Sequence, residues 1–180
     1  PVEHYVACSG SGISVPNRLV FAVDRAENWS FATIAAAALN GGNYETELVA
    51  SYVSPSEDQL YNDLVDLWMK HTPVAIAVDD RQLPNLAKRL KANGIRVYSL
   101  WTKEMSAACS FAYAAFSKNE IRHNNDPLLS VQITKGMTKY QGEQWVISRK
   151  ESTGDIDALL ATIMALYTCS IVETPTIQVF

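Results

Sequence analysis

The chain has 180 residues, enough for one domain with a substantial core, and its composition of 48% hydrophobic and 19% charged residues excludes a disordered protein. Fifteen basic and nineteen acidic residues give a formal net charge of −4. This charge weakly opposes a dedicated nucleic-acid-binding module, because such modules are usually basic. A local basic face or an acidic metal site is still compatible with it.

The cysteines and the N-terminus restrict the type of protein further. Cys8, Cys109 and Cys169 lie far apart and form no CxxC pair, so we expect free thiols in a reducing compartment instead of disulfides or a zinc site. No segment reaches transmembrane length, and no signal-peptide pattern is present. The first residue is Pro1 and not Met, which is consistent with a domain taken from a longer protein.

The first third of the chain predicts three strands. Residues 1–17 are interpreted as a flexible linker, since their SGSG motif follows no strand and lacks the Gly-Lys-Ser/Thr of a phosphate loop. Residues 18–24 form an apolar run that ends at an acid, typical of a buried strand. The alanines of 29–39 favour a helix by propensity. The turn motif NGGN at 40–43 and the strand-like segment 44–53 nevertheless predict a hairpin, and therefore a strand.

The middle of the chain alternates predicted helices and strands. Ser56, with Gln59 three residues later, resembles a capping box that opens an amphipathic helix. The segment VAIAVD at 74–79 is typical of a second buried strand. Further predicted elements are a helix over 83–94, a strand over 95–101 and a helix over 103–117.

The last third predicts β structure and then a helix. The segments LLSVQITKGM and EQWVISRK are expected to form a strand or hairpin layer, and a helix is expected from about residue 154 to residue 172. A hairpin followed by alternating strands and helices implies a mixed sheet, antiparallel first and parallel later, flanked by helices. We therefore predict one α/β domain over 18–172 and a C-terminal tail over 173–180.

Carboxylates stand where the predicted elements end or begin. Asp24 closes the first strand, Asp79 and Asp80 close the strand at 74–79, and Asp155 and Asp157 open the final helix. Neighbouring strands lie about 4.8 Å apart, so acids on two strands can converge and a helix start can add a third. Converging carboxylates repel unless a cation is bound, and Mg²⁺ prefers oxygen ligands. Two such ions roughly 4 Å apart can hydrolyse a phosphodiester.

Each acid also has an ordinary interpretation as a turn residue or a helix cap. Asp155 follows Gly154, and this position is typical of an N-cap. Asp157 differs because Ala161 and Ala165 follow at i+4 and i+8, so its helix face carries small side chains and can lie close to the sheet. We therefore expect Asp157 to point toward the sheet and Asp155 to act as a cap.

Four segments carry a recognisable order of motifs: FAVDRAENWSFATIAAAAL, VAIAVDDRQLPNLAKRLKANGIRVYSL, NEIRHNNDPLLSVQITKG and GDIDALLATIMALY. In this order they resemble the nuclease domain of the large terminase subunit of tailed bacteriophages. The resemblance extends from about residue 19 to residue 170. It implies an RNase H-like fold.

The resemblance assigns the first two acids. The family places its first metal-binding Asp in the first strand, before a hairpin, and this position is Asp24. Its second acid ends a strand and is followed seven residues later by a packed Leu, which fits Asp79 and Leu86 better than Asp80. Relatives often carry a proline or a similar residue after the second acid. Because Asp80 stands there, it is open which residue of the pair binds metal.

The resemblance also assigns the third acid. The family's Ile-Asp-x-x-x-Ala helix start is matched by Ile156, Asp157 and Ala161. The Arg-His…Pro-Leu-Leu stretch, which contains His123 and Pro127, resembles the segment before the family's late strand.

The resemblance implies a metal-dependent endonuclease that cuts concatemeric double-stranded viral DNA during genome packaging. Two Mg²⁺ or Mn²⁺ ions are expected at Asp24, Asp79 and Asp157, with Asp24 as the bridge and with Asp80 and Asp155 as reserve ligands. The implied partners are an upstream ATPase domain of the same subunit, the portal and the small terminase subunit, in the host cytoplasm and without a membrane. The chain itself has no G-x-x-x-x-G-K-[ST] motif, so we expect no ATP hydrolysis through a P-loop.

DNA binding at an acidic site requires basic residues beside it. The candidates are Arg149, Lys150, Lys135, Lys139 and His123. Arg149 and Lys150 are the strongest, since they shortly precede Asp157. A structural role is the favoured alternative for His123, and solvent exposure alone is favoured for the basic residues of the helix over 83–94.

Two other functional classes are open. Another RNase H-like nuclease, such as a junction resolvase or a transposase, uses similar acids and prefers branched DNA or RNA–DNA hybrids. A non-catalytic module that binds DNA or the portal uses the acids only as caps and turns, and it binds no divalent ion near millimolar concentration.

Overall fold

A computed structural model describes residues 1–172, and its first three strands form the predicted hairpin arrangement. β1 (Val20–Arg25), β2 (Phe31–Asn40) and β3 (Asn43–Val53) pair antiparallel in chain order. The turn between β2 and β3 holds Gly41 at φ 55° and Gly42 at φ 91°, in a region that glycine adopts at low cost. The alanines of β2 are buried, so tertiary packing outweighs their helix propensity.

Parallel strands extend the sheet on both sides of the hairpin. β4 (Ala75–Asp79) lies beside β1, β5 (Val97–Leu100) lies beside β4, and β6 (Ile121–His123) lies beside β3. The resulting order is β5-β4-β1-β2-β3-β6. The predicted mixed sheet is confirmed. The short β6 was not predicted, because three residues carry too little alternation to identify a strand.

Helices cover both faces of the sheet. Their bounds are α1 (Val2–Ala7), α2 (Glu57–His71), α3 (Pro84–Ala92), α4 (Thr102–Ser117), α5 (Pro127–Lys135) and α6 (Asp157–Ile171). Leucines of α2 and α3 form one core with one face, and α4 and α6 form a second core with the other face. Ser56 caps α2 as predicted, since its hydroxyl accepts a hydrogen bond of 3.1 Å from the backbone N–H of Gln59. Within residues 1–172, every helix is too short or too polar to cross a membrane.

The final helix packs on a face of small side chains. Ala161 and Ala165 of α6 are fully buried in the same core as Ala22 of β1, Ala35 of β2 and Ala77 of β4. Alanine on both sides lets the helix axis approach the sheet closely. This packing places the first turn of α6 over the strands that carry the acids.

The segment LLSVQITKGM is mostly a helix, so its prediction as β structure is wrong. The side chain of Asp126 caps α5 by accepting a hydrogen bond of 2.8 Å from the backbone N–H of Leu128, and Pro127 occupies the first turn. β-branched residues are common in strands, so their presence in this segment led to the prediction of a strand. The predicted hairpin is instead formed by β7 (Met137–Gln141) and β8 (Gln144–Ser148).

The first residues pack against the domain. Tyr5 of α1 and Cys8 are buried, and the ring of Tyr5 stacks on His123 with a centroid distance of 3.8 Å. Part of the segment 1–17 is therefore a packed helix where a flexible linker was expected, because its apolar side chains meet α4 and β6. The predicted tail at 173–180 lies outside the described residues. All three cysteines are free, and each of them is buried.

Candidate metal centre

Strand register places Asp24 and Asp79 side by side. β1 and β4 run parallel with Val23 opposite Val78, so the following residues are neighbours at the carboxyl ends of adjacent strands. Side chains alternate between the faces of a sheet, which puts both acids on the face that α6 covers. Both side chains are completely buried.

Asp157 reaches the same face from the start of α6. Its Oδ2 accepts a hydrogen bond of 2.6 Å from the hydroxyl of Thr33, and its Oδ1 accepts one of 2.9 Å from the side-chain amide of Gln132. Thr33 lies directly opposite Asp24 in the β1–β2 pairing. Asp157 is only 1% exposed. The prediction that it points toward the sheet is confirmed.

Arg149, which follows β8, lies on the acids instead of facing solvent. Its Nη1 and Nη2 donate hydrogen bonds of 2.5 and 2.6 Å to the two carboxylate oxygens of Asp24. Nη2 is also 3.8 Å from Oδ2 of Asp79. In this conformation the guanidinium of Arg149 is held by buried carboxylates, and its role as a phosphate contact stays a prediction.

A second arginine, Arg81, holds Asp79 and was missed from the sequence. Oδ1 of Asp79 accepts hydrogen bonds of 3.0 Å from both the backbone N–H and Nε of Arg81, and Oδ2 accepts one of 2.8 Å from Nη2. An acid that accepts the backbone N–H two residues later is a common turn motif. The spacing of Asp79 and Arg81 after an apolar strand was the available signal.

Burial and neighbouring charges shift the protonation of Asp24. The pKa of Asp24 is raised to about 6, mainly by desolvation; the guanidinium of Arg149 opposes the rise, and the nearby carboxylates of Asp79 and Asp157 add to it. For Arg149, burial alone would lower the pKa, but the carboxylates of Asp24 and Asp79 raise it overall. The three acids therefore interact electrostatically, and Arg149 offsets part of their mutual repulsion.

The two reserve acids have different surroundings from these three acids. Oδ2 of Asp80 is 3.8 Å from the Nζ of Lys91 on α3. Asp155 is half-buried and borders the cavity that contains Asp157. The N-cap of α6 is Ile156, and no side chain caps it. The prediction of Asp155 as the cap is thus wrong, because the helix begins one residue later than a cap at that position requires.

Basic side chains border a cleft beside the acids. Lys139 and Lys150 of the hairpin region line it with Arg81, Arg149 and one acid, Glu27, and its volume is about 220 Å³. Both lysines are exposed. We call the four cationic residues the basic cleft.

The remaining two DNA-binding candidates are placed differently. Lys135 borders the cavity of about 170 Å³ beside Asp155 and Asp157. His123 is fully buried, its Nε2 lies 2.8 Å from the carbonyl oxygen of Tyr5, and its Nδ1 accepts a hydrogen bond from the backbone N–H of Asn125. It offers no surface to DNA here.

The donor set fits a hard divalent cation in its chemistry, because carboxylate oxygens are the ligands such ions prefer. Within residues 1–172, however, no three His, Cys, Asp or Glu side chains are close enough to share one ion. The positive group between Asp24 and Asp79 is the guanidinium of Arg149. A divalent ion bound by these acids therefore has to replace that guanidinium.

The sheet order and the flanking helices define an RNase H-like fold of the type found in terminase nuclease domains. Among solved structures, the chain is similar to the large terminase of bacteriophage HK97, with a TM-score of 0.79, 13% identity and coverage of 93% of this chain and 43% of that one. It is also similar to the large terminase nuclease of thermophilic phage G20c, with a TM-score of 0.70, 14% identity and coverage of 96% and 98%.

A second structure of the G20c nuclease contains bound magnesium. It matches with a TM-score of 0.68 and 12% identity, over 93% of this chain and 95% of that one. At these identities the likeness establishes the fold alone. The chain spans less than half of the HK97 large terminase. Its sequence matches no protein-family model and no curated protein.

Proposed function

We propose that this domain is a metal-dependent endonuclease that cleaves double-stranded viral DNA concatemers during genome packaging. The observation that carries the proposal is the burial of Asp24, Asp79 and Asp157 on one face of an RNase H-like sheet. Burying one carboxylate costs free energy, and grouping three increases that cost unless cations compensate it. The resemblance to terminase nucleases, one of them solved with magnesium, supports this use of the acids.

In this proposal Asp24, Asp79 and Asp157 hold two Mg²⁺ or Mn²⁺ ions. Such ions supply an activated water and stabilise the leaving oxygen of a phosphodiester. Asp79 is preferred over Asp80, because only Asp79 shares the buried face with Asp24. Asp155 is the reserve ligand that borders the cavity of Asp157.

Other residues orient these acids and neutralise their charge. Thr33 and Gln132 fix both oxygens of Asp157, which sets the direction in which its remaining lone pairs point. Arg149 neutralises Asp24 while no ion is bound, and it becomes available to phosphate once it is displaced.

The basic cleft is the proposed path of the DNA backbone to the acids. Its cations lie beside the carboxylates and compensate the overall negative charge of the chain locally. The upstream ATPase domain, the portal and the small terminase subunit are the proposed partners. The host cytoplasm is the proposed location.

One observation favours a second candidate, a non-catalytic DNA- or portal-binding module. Asp24 and Asp79 are each paired with an arginine, and buried pairs of this kind can serve structure alone. In that case Arg149 and Asp24 would only attach the β7–β8 hairpin to the sheet.

Cleavage of supercoiled plasmid in the presence of Mn²⁺ separates the two candidates. The nuclease proposal predicts cleavage by the wild-type chain and its loss in Asp24→Asn and Asp157→Asn, whereas Asp58→Asn, at a side chain 79% exposed, keeps it. Full activity of Asp157→Asn removes that residue from the site. If titration calorimetry detects no binding of a divalent ion near millimolar concentration, the result supports the non-catalytic module. A preference for branched DNA or RNA–DNA hybrids instead identifies a resolvase-type or transposase-type nuclease.

A further inference from the structure

A second pocket lies at the same edge of the sheet, between α3 and the end of β5. Its volume is about 250 Å³. Its lining residues are Asp80, Pro84, Ala87, Lys88, Lys91 and Trp101. Leu100 is opposite Asp79 in the β4–β5 pairing, so Trp101 follows the position beside that acid. This Trp101 pocket is therefore next to the candidate metal centre. The three acids of the metal centre do not line the pocket.

Trp101 offers an aromatic surface to a ligand. Its side chain is 54% exposed, and it stands at the end of a strand whose last residue, Leu100, is fully buried. Exposed aromatic rings in nucleic-acid-binding proteins are platforms on which unpaired bases stack. The volume lies just below the range of about 300–1,000 Å³ for drug-sized ligands. The pocket thus accommodates a single ring system.

Two lysines, Lys88 and Lys91, line the pocket with Trp101. Lys88 and Lys103 are exposed, and neither forms a hydrogen bond or an ion pair with the described part of the chain. Lys91 is 49% exposed, and its Nζ donates a hydrogen bond of 2.8 Å to the hydroxyl of Ser99. Glu104 is the neighbouring acid, and it accepts a hydrogen bond from the backbone N–H of Trp101. Of the lysines that line the pocket, Lys88 is without a partner among the described residues and is free to bind the phosphate attached to a stacked base, and Lys91 adds a second positive charge beside it.

Asp80 provides an unused acceptor at the pocket. Its Oδ1 is buried and has no hydrogen-bond partner among residues 1–172, whereas Oδ2 lies 3.8 Å from Lys91. Oδ1 has no surface open to a ligand, but the side chain is 13% exposed and Oδ2 is too far from Lys91 for a hydrogen bond, so an amino group on a bound base can donate to Oδ2. The acceptor therefore favours bases with an exocyclic amino group, such as cytosine, over thymine.

We propose that the Trp101 pocket binds one unpaired DNA nucleotide, with its base stacked on Trp101, its amino group donated to Asp80 and its phosphate near Lys88 and Lys91. The proposal rests on the proposed nuclease function and adds that the domain recognises unpaired DNA beside the cleavage site. An intact duplex cannot fill the pocket, because its bases are stacked on one another.

Fluorescence anisotropy in EDTA tests the proposal without cleavage. The probes are a labelled blunt duplex and the same duplex with a short single-stranded overhang of cytosines or of thymines. The wild-type chain binds the cytosine overhang more tightly than the thymine overhang and the blunt duplex. Trp101→Ala loses about tenfold in affinity for the overhang, as expected for one stacked base, and Trp101→Phe retains most of it. The matched control is Tyr113→Ala, since Tyr113 is an aromatic residue 50% exposed on α4, and it binds as wild type.

Equal binding of overhang and blunt probes by the wild-type chain, or wild-type binding by Trp101→Ala, overturns the proposal. Equal binding of cytosine and thymine overhangs overturns the role of Asp80. Plasmid cleavage by the wild-type chain, measured in parallel, reports on the nuclease function separately. If the wild-type chain does not cleave the plasmid but still prefers the overhang, the nuclease function is contradicted and nucleotide binding in the Trp101 pocket is supported. Cleavage without that preference contradicts the pocket alone.

Discussion

Arg149 binds Asp24 through both terminal nitrogens of its guanidinium, at 2.5 and 2.6 Å. The side chain of Arg149 is 13% exposed and that of Asp24 is fully buried, so the pair is largely shielded from solvent. Because Arg149 follows β8 directly, this contact joins the β7–β8 hairpin to the centre of the sheet. The same contact competes with any cation that binds Asp24.

Removing Arg149 should increase the response of the domain to divalent ions. In Arg149→Ala, Asp24 loses its partner, and we expect the free energy of unfolding to fall by about 3–5 kcal/mol without metal, the usual cost of breaking a buried pair. Mn²⁺ can then bind the unpaired buried carboxylate of Asp24, so it raises the Tm of the variant more than that of the wild type. Thermal unfolding with and without Mn²⁺ measures both effects. The adjacent, exposed Lys150→Ala is the control, and an identical Mn²⁺ response in Arg149→Ala and wild type would refute the competition.

Thr33 should affect metal binding through Asp157. Thr33→Val removes the hydroxyl that donates to Asp157 at nearly constant volume. We expect a loss of about 10–100-fold in Mn²⁺ affinity or cleavage rate, the usual effect of removing a group that orients a metal ligand. Thr33→Ser restores the hydroxyl and most of the function. Titration calorimetry and plasmid cleavage are the measurements.

Thr46→Val is the matched control for Thr33. Thr46 is also buried in the sheet, but its hydroxyl donates to the carbonyl oxygen of Ala36. This control loses stability and retains Mn²⁺ affinity. If Thr33→Val behaves in the same way, Thr33 is structural only.

The basic cleft should give DNA binding its salt dependence. Lys139→Gln and Lys150→Gln each remove one cation, so we expect each to lower the slope of log K against log salt by about 1. Filter binding of duplex DNA in EDTA across a salt series measures the slope. Lys70→Gln, at an exposed position on α2, leaves it unchanged. Wild-type slopes in both cleft variants would exclude the cleft as the DNA path.

His123 should make stability depend on pH. Burial lowers the pKa of His123 below its ordinary value of 6.5, and the hydrogen bond to the carbonyl of Tyr5 opposes this shift. The unfolded chain therefore binds the proton more readily, so the stability present above pH 6.5 is lost as the pH falls through the unfolded and then the folded pKa.

Urea unfolding between about pH 5 and pH 8 tests this contribution. The stability of His123→Gln rises less with pH than that of the wild type, while the opposing contribution of Asp24, whose raised pKa favours lower pH, is the same in both proteins. His71→Gln, at an exposed side chain, keeps the wild-type dependence. Identical pH profiles for wild type and His123→Gln would show that burial of His123 is not linked to protonation.

The acids could be located from the sequence because their positions depend on local patterns. Apolar runs that end at Asp24 and Asp79 define strand ends, and the small-residue face after Asp157 defines the side of the helix that meets the sheet. These patterns are governed by alternation and helix periodicity, which do not require knowledge of distant contacts. The NGGN turn fixed the hairpin for the same reason.

The residues that bind the three acids could not be predicted from the sequence, because their positions depend on tertiary contacts. Arg149 is far from Asp24 in the chain, and only the docking of the hairpin brings them together. Gln132 was not identified, because its segment carries β-branched residues and was predicted as β structure. In the structure this segment is the capped helix α5, which places Gln132 within hydrogen-bond distance of Asp157. Thr33 required the register of β1 and β2, which depends on the loop between them.

A crystal structure determined in Mn²⁺ would show whether Asp24, Asp79 and Asp157 bind a divalent ion. We expect anomalous density at Asp24 and Asp79, on the side that faces Asp157, and Arg149 moved off Asp24. Asp24→Asn crystals grown in the same conditions serve as the control and should lack this density. Absence of an ion at these acids, with both hydrogen bonds from Arg149 to Asp24 intact, would contradict a metal-dependent nuclease site.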